Sequence, residues 1–307
     1  QDYHTLSQAF LQQKQFLGYS YKTEEIILKE IVTFLNERDI TKEVTEEYAR
    51  MNRNRHSNTI ARNMGVLREF CKYLKTQGVS CYQIPKKIYP QNHRNYTPYI
   101  FSHQEIKTIY QNLEVALKGY HYSYYQKLAY PLVIKILYQT GMRLGEVLSI
   151  QRQNYLIEDG CFHLKNTKNN QERLVFLPNT LKQEMNFFFH KFQHQWEKES
   201  LIFSISSSTI EQYFYKVLKL SQIPRRENSP RVHNLRQTFV VHRIEEYVNV
   251  GKDINVILPV LQKHLGHQSL EALSYYFHLT KDILGEIRMM SEYEFNDLIP
   301  EVNHEEF

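Results

Sequence analysis

Apolar side chains recur every three or four positions along most of this chain, which predicts helices rather than strands. One such stripe runs through residues 27–35, and Thr23 is the expected N-cap of its helix. Another stripe ends at Gly78, and glycine is typical of helix ends. Together these patterns predict a compact unit of four or five helices at residues 1–86.

The stretch IPKKIYPQNHRNYTPY follows this unit and carries three prolines, several charges and no helical or strand period. Such a composition predicts an extended linker, which we place at residues 87–97. A basic linker of this kind either lies along a nucleic-acid backbone or is a plain solvated connector, and the sequence leaves both alternatives open.

Residues 98–307 predict a second domain that is mainly α-helical. Ser102 and Glu105 have the spacing of a capping box at the start of its first helix. Further along, the short segments CFHLK and RLVFLP are joined by the polar turn NTKNNQE, which predicts a small β-hairpin. We therefore expect a mainly α fold with a small sheet in the second domain.

Composition adds weaker constraints. The chain of 307 residues is long enough for two domains, and its formal net charge of +5 favours a nucleic-acid partner without establishing one. Its three cysteines have neither metal-site nor disulfide-framework spacing, and no apolar run reaches membrane-spanning length. Because the sequence also begins without a signal-peptide pattern, we expect a cytoplasmic protein.

Several short motifs carry candidate chemistry. In YQTGMRLGEVLSI, Arg143 stands between two glycines at a bend, where it pairs with Glu146, reaches the surface, or is held rigid to bind an anion. His233 and Arg236 are three residues apart in HNLRQTF and would share one face of a helix. The segment LQKHLGHQSL contains two histidines without cysteine or acidic partners nearby, so we expect no metal site there.

In their order along the chain, TGMRLGEVLSI, TKNNQERLVFLP, HNLRQTF and LGHQSLEALSYYFHL resemble the motifs of the tyrosine recombinase family, the phage-integrase or Xer-like type. The resemblance covers the whole second domain, which would be the catalytic domain. The helical first domain resembles that family's core-binding, SAM-like domain, which clamps DNA. The resemblance therefore implies a site-specific DNA recombinase that needs no cofactor and no metal.

Position by position, the resemblance implies six catalytic side chains and one supporting carboxylate around a single DNA phosphate. Arg143 and Arg236 would bind its non-bridging oxygens, for which two planar cations are well suited. Tyr276 would attack phosphorus, and Lys168 would protonate the leaving 5′-oxygen. The remaining members are His233, His267 and the supporting Glu146.

Three details qualify this assignment. We expect Arg143 to be unpaired or only partly paired in the free protein, because its partner would be the phosphate. Gln237 stands where many members of the family have histidine. Tyr275 adjoins Tyr276, so the choice of nucleophile rests on spacing alone.

The implied partner is double-stranded DNA, at a specific recombination site within the nucleoid. The resemblance also implies a homotetramer on DNA, joined through the C-terminal tail, although the apolar spacing of that tail equally fits a helix packed on its own domain. For the biological role, integration or transposition of a mobile element is preferred. For the activity itself, the alternatives are a DNA-relaxing topoisomerase and a non-catalytic DNA-binding relative. The side chains expected to bind DNA are Arg50, Arg53, Arg55, Arg62, Lys165 and Arg173.

Overall fold

The computed structural model describes residues 2–86, 98–119, 121–165, 172–223, 230–252 and 254–266. The chain divides into two compact units, Gln1–Tyr96 and Thr97–Phe307. The predicted linker at 87–97 lies outside the described residues. Across the described segments, no helix combines the length and the apolar character needed to cross a bilayer.

Four α-helices form the described part of the first unit, and this agrees with the expected helical bundle. They are α1 (Tyr3–Phe16), α2 (Lys22–Leu35), α3 (Lys42–Met51) and α4 (Ser57–Thr76). The core lies where α1 and α2 pack on α4, around the fully buried Leu28, Ile31 and Phe70. Each of these residues belongs to an apolar stripe with helical spacing, and this periodicity is the local cause of the fold.

The start of α2 differs from the sequence-based expectation. The helix begins at Lys22, so Thr23 already lies inside it and is not its N-cap. Tyr21 precedes the helix in a left-handed conformation (φ 42°), and its ring packs edge-on against Phe10 with ring centroids 5.9 Å apart. The helix therefore starts earlier than predicted, next to a contact between residues that are distant in the sequence. Local helix propensity contains no information about such a contact.

The second unit is mainly helical and contains one small sheet in its described part. Its helices are α5 (His103–Leu113), α6 (Tyr124–Thr140), α7 (Leu144–Leu148), α8 (Asn179–Phe192), α9 (Ser207–Leu220), α10 (Val232–Asn249) and α11 (Ile254–Leu265). Ser102 and Glu105 form the predicted capping box, with Glu105 N donating to Ser102 Oγ at 3.2 Å and Ser102 N donating to Glu105 Oε2 at 2.8 Å.

The sheet has three antiparallel strands in the order β1 (Tyr155–Leu156), β2 (Cys161–Leu164) and β3 (Arg173–Phe176). Strands β2 and β3 are the predicted hairpin, in a register that places Leu164 opposite Arg173. Strand β1 was not predicted, because a strand of two residues is too short to show an alternating pattern.

Helix α6 is the centre of the second unit. Its buried residues lie all around the helix, which is typical of a helix surrounded by others. It packs against α10, and also contacts α5, α8 and α9. Because α6 and α10 are held by so much buried surface, the residues at the end of α6 and in the first turns of α10 occupy fixed positions.

The chain turns sharply where α6 ends. Gly141 caps the helix with φ 65°, and a Cβ atom at this position would lie 2.4 Å from Cδ1 of Phe239 on α10. A side chain would therefore meet both a strained backbone conformation and a steric clash. This glycine lets the chain pass close against α10 and places Arg143, two residues later, beside the first turns of that helix.

Candidate functional site

Arg143 and Glu146 form an ion pair at the start of α7. The Arg143 backbone N–H donates to Glu146 Oε2 at 2.9 Å, and its Nη1 donates to Glu146 Oε1 at 2.9 Å. The ion pair between Arg143 and Glu146, one of the alternatives left open by the sequence, is therefore present. About a third of the Arg143 side chain (30%) remains exposed, whereas Glu146 is nearly buried (11%). Arg143 is thus held through Nη1 while part of its side chain remains exposed, as expected for a partly paired cation.

A second arginine binds the same carboxylate. Arg173 Nη2 donates to Glu146 Oε2 at 2.8 Å. Burial by itself would raise the pKa of Glu146, but the hydrogen bonds and positive charges of Arg173 and Arg143 outweigh burial and lower this pKa below its ordinary value. Glu146 is therefore a charged carboxylate at neutral pH, shared between two guanidiniums.

The position of Arg173 favours contacts inside the domain over its predicted role in DNA binding. Only 7% of its side chain is exposed, and its Nε donates to the backbone carbonyl of His264 at 2.8 Å. Side chains alternate along β3, and Arg173 lies on the same inward face as the buried Val175. Its donors point into the domain, an orientation that does not fit contact with a phosphate on the surface of a DNA duplex.

Arg236 connects the ends of two helices. Its Nη1 donates to the carbonyl of Gly141 at 2.5 Å, and its Nη2 donates to the carbonyl of Leu265 at 3.0 Å. Carbonyls at helix ends lack partners within the helix, so a guanidinium is well suited to satisfy them. His264 contributes beside it, since its Nε2 lies 2.7 Å from the carbonyl of Thr140. The ends of α6 and α11 are therefore joined by polar side chains.

His233 lies in the first turn of α10, close to both arginines. The residue is exposed, but partial removal of its ring from water, followed by the charges of Arg236 and Arg143, lowers its pKa. His233 is therefore mainly neutral at neutral pH. Geometry places these three residues, distant in the sequence, in one site: Arg236 donates to the carbonyl of Gly141, two residues before Arg143, and His233 lines the same cleft as Leu144.

A cleft of about 1240 Å³ borders this site. Residues of α9, Leu144 at the start of α7 and His233 on α10 line it. Among the predicted site residues, Arg143, Glu146, His233 and Arg236 are therefore brought together. Lys168, His267, Tyr276 and the predicted C-terminal tail lie outside the described residues.

The predicted DNA-binding residues of the first unit lie at its surface. Arg55 Nη1 is 3.0 Å from Glu30 Oε1, and Arg62 Nη2 is 2.8 Å from Glu24 Oε1, so both arginines are paired with acids of α2. The other exposed cations of the set, in either unit, are Arg50, Arg53 and Lys165.

Arg173 and His264 are the two site residues whose roles the sequence did not reveal. For Arg173, the sequence signal that could have shown its inward position is the alternation in RLVF. This alternation places Arg173 on the same face as the buried Val175. His264 was considered only as a possible zinc ligand. Its contact with Thr140 joins residues 124 positions apart, which no local pattern reports.

A separate cluster of two histidines and a glutamate has the composition of a metal site. Ligand atoms of His103, His242 and Glu245 lie within 4.8 Å of one another. However, the two imidazoles are stacked, with ring centroids 3.9 Å apart and 21° between their planes. A metal ion lies about 2.1 Å from each nitrogen and in the plane of its ring, and no point satisfies this for two stacked rings. The arrangement does not fit a shared ion.

One hydrogen bond and one longer histidine–carboxylate contact account for this cluster instead. His242 Nδ1 lies 2.9 Å from the hydroxyl oxygen of Tyr138, and His103 Nε2 lies 3.6 Å from Glu245 Oε2. Burial, followed by the nearby His103, lowers the pKa of His242 to about 4. His242 is thus neutral at neutral pH and serves as a buried hydrogen-bonding residue between α6 and α10.

Comparison with known proteins gives matches along most of the chain. The sequence profile of the Phage integrase family matches residues 100–282, more than half of the chain. Tyrosine recombinase XerC of Staphylococcus saprophyticus is 22% identical over 288 residues, which cover 90% of this chain and 91% of that protein. Tyrosine recombinase XerA of Saccharolobus solfataricus is 30% identical over 153 residues, which cover 50% of this chain and 47% of that protein.

Solved structures share the fold. The XerH site-specific recombinase in a post-cleavage complex with palindromic difH substrate has a TM-score of 0.66 at 18% identity, covering 95% of this chain and 85% of that chain. A lambda integrase tetramer bound to a Holliday junction has a TM-score of 0.59 at 16% identity, covering 87% of this chain and 77% of that chain. The expected fold, a helical first domain followed by a mainly helical second domain with a small sheet, is confirmed.

The shared carboxylate generates a stability prediction. In Glu146→Gln the side chain keeps its size but loses its charge, which leaves the buried Arg173 without a counter-ion. We expect a loss of about 3 kcal/mol in the free energy of unfolding, as for other broken buried ion pairs. The control Glu184→Gln breaks the exposed pair with Lys135 and should cost less than about 1 kcal/mol. Urea denaturation measures both, and equal losses would contradict the prediction.

The same variant has a defined pH dependence. Because the folded-state pKa of Glu146 is lowered, its charge stabilises the fold above the pKa of the unfolded chain. That contribution disappears as the pH falls through the folded-state pKa. The difference in stability between wild type and Glu146→Gln should therefore shrink from neutral to acidic pH, and a constant difference would be inconsistent with a charged Glu146.

Proposed function

Since the chain belongs to the phage integrase family of tyrosine recombinases, as its motifs predicted, we propose that it cleaves and rejoins duplex DNA at specific sites through a 3′-phosphotyrosyl intermediate. The observation that carries the proposal is the convergence of Arg143, Arg236 and His233: Arg236 bonds the carbonyl of Gly141 beside Arg143, and His233 lies one turn before Arg236 on α10. The comparisons support the class of reaction. The roles of individual residues in this chain rest on their geometry and on their motifs.

The two guanidiniums supply the charge that this reaction needs. Attack on a phosphodiester adds negative charge to the non-bridging oxygens, and one preorganised donor at such a position is worth about 3 kcal/mol. Arg143, whose side chain is partly exposed, binds the phosphate, and Arg236 contributes its charge from inside the domain. Glu146 and the helix-end carbonyls hold both cations before DNA arrives, so little reorganisation is required.

The proton transfers are assigned to the remaining residues of the set. Tyr276 forms the new bond from its phenol oxygen to phosphorus, while the bond from phosphorus to the 5′-oxygen breaks. His233 is mainly neutral at neutral pH, which suits it to accept the phenol proton, with His267 assisting. Lys168 donates a proton to the leaving 5′-oxygen. The phosphotyrosyl ester conserves the energy of the broken bond, so strand rejoining requires no nucleotide cofactor.

The first unit would hold DNA through phosphate contacts. The ion pairs of Arg55 and Arg62 are exposed, and pairs of this kind contribute about 0–1 kcal/mol. A DNA phosphate can therefore replace the glutamate partner at small cost. Arg50 and Arg53 are exposed and are proposed to add further contacts of the same kind, and the exposed Lys165 is proposed to add one from the second unit.

We also propose that the protein acts as a tetramer on two duplexes, with the C-terminal tail docking on a neighbouring protomer. The lambda integrase tetramer on a Holliday junction supports this assembly by analogy of fold. A single protomer that only relaxes DNA, and a non-catalytic DNA-binding relative, are the competing assignments. Joint molecules between two duplexes would form only with a recombinase. The identity of the target DNA would then distinguish integration, transposition and dimer resolution as the biological role.

The nucleophile is tested by trapping the covalent intermediate. DNA ends that become attached to the protein in expressing cells identify the site, and a nicked duplex of that sequence then serves as substrate. Wild type should form a covalent adduct, and Tyr276→Phe should form none because it lacks the attacking hydroxyl. Tyr275→Phe is the matched control and should retain the adduct.

Two results would contradict this assignment. An adduct that persists in Tyr276→Phe and disappears in Tyr275→Phe would identify the other tyrosine as the nucleophile. The absence of any adduct with both wild type and Tyr275→Phe would reject DNA cleavage and favour a non-catalytic DNA-binding protein.

DNA binding by the first unit is tested through its salt dependence. Arg62→Gln removes one proposed phosphate contact, so the slope of log affinity against log salt should fall by about 0.9, with similar weakening on every DNA sequence. Lys29→Gln is the control, because Lys29 is also an exposed, ion-paired cation of this unit but is not proposed to contact DNA. Equal slopes for Arg62→Gln and wild type would remove Arg62 from the interface.

A further inference from the structure

Arg173 is a deeply buried, ion-paired arginine of the site, and the reaction assigned above gives it no role. It donates to two different parts of the second unit: to the Glu146 carboxylate at 2.8 Å and to the His264 carbonyl at 2.8 Å. Glu146 belongs to α7 and His264 to the last turn of α11, so one guanidinium joins two helices that are far apart in the sequence.

We propose that Arg173 is a positioning residue for the cleavage site: it holds Glu146, and through it Arg143, at a fixed distance from the C-terminal end of α11. This inference rests on the proposed function. It replaces the predicted phosphate contact of Arg173 with an indirect role, because the side chain faces Glu146 rather than the surface.

The anchor of Arg173 is the small sheet. Arg173 pairs with Leu164 across the β2–β3 ladder, so its backbone position is set by strand register. The neighbouring Leu174 and Phe176 face outward and are 46% and 61% exposed. Strand β3 also packs against α11. The arginine therefore gives α7 and α11 a common attachment to a third element that is independent of α6 and α10.

The chemistry of the contacts requires arginine. Nη2 meets a carboxylate and Nε meets a backbone carbonyl, two acceptors in different directions that a planar, forked cation reaches together. Lysine has a single charged nitrogen and would keep the ion pair with Glu146 while losing the contact with α11. Glutamine would lose the charge as well, and Glu146 would then hold only Arg143.

A close approach at Gly266 supports the same assignment. A Cβ atom there would lie 3.0 Å from Arg173 Nη1, and the residue has φ 64°. Nη1 itself is buried and has no hydrogen-bond partner among the described residues. Arg173 thus packs directly against the turn that follows α11, in addition to donating to the carbonyl of His264 in its last turn.

The test compares full-length Arg173→Gln and Arg173→Lys with wild type, and uses Lys135→Gln as a control that breaks an exposed ion pair in the same unit. In the free protein, amide hydrogen exchange in α7 and in the last turn of α11 should accelerate roughly tenfold or more in Arg173→Gln, while α6 stays protected. Arg173→Lys should accelerate exchange in α11 more than in α7, and Lys135→Gln should change neither.

The second readout separates positioning from DNA contact. On saturating nicked DNA the rate of adduct formation should fall roughly tenfold to a hundredfold in Arg173→Gln, since small misplacements of a catalytic group have effects of this size. The dissociation constant and the salt slope should be unchanged. Weaker binding with a lower salt slope and a normal saturated rate would overturn the proposal and restore Arg173 as a phosphate contact.

Two further outcomes would overturn the proposal on other grounds. Unchanged exchange in both α7 and α11 would show that Arg173 holds neither helix. Equally faster exchange in every helix would show that the residue serves global stability only. Failure of wild type to form any adduct would reject the proposed function, and the exchange data, which need no DNA, would still decide whether Arg173 couples the two helices.

Discussion

The carboxylate of Glu146 is the interaction on which the site depends. A nearly buried anion is costly unless cations and hydrogen bonds surround it, and here two guanidiniums and a backbone N–H do so. The stabilisation is mutual. The two arginines offset the cost of burying the carboxylate, and the carboxylate offsets the repulsion between two arginines that lie close together. Removal of Glu146 would take this counter-ion from both arginines, and removal of either arginine would leave the carboxylate with only the other.

The ends of helices supply the second constraint. Helices α6 and α11 end close together, and their last carbonyls need donors that neither helix can provide. Arg236 and His264 meet this need at Gly141, Leu265 and Thr140. The same hydrogen bonds that satisfy these carbonyls also orient the Arg236 guanidinium. The fold therefore holds Arg236 in place before any substrate is present.

Much of this architecture was predictable from the sequence, because long helices bury stripes with a clear period. The Arg143–Glu146 pair was foreseen as one alternative, since three residues separate them at the start of a helix. Arg173 was predicted to contact DNA because a basic residue beside a polar turn is usually solvated, and its inward position was not foreseen. The Arg173 side chain points inward because side chains alternate along β3 and because the carbonyl of His264 accepts its hydrogen bond. The alternation can be seen in the sequence, whereas the contact with the distant His264 cannot.

The central claim, that Arg143 and Arg236 converge beside His233, is tested most directly by the pKa of the His233 imidazole, followed by NMR during a pH titration. The account predicts a pKa below about 6.5, the ordinary value for histidine, and an upward shift in Arg143→Gln because a nearby positive charge is removed. A His233 pKa close to the ordinary value that does not respond to Arg143→Gln or to Arg236→Gln would contradict the account.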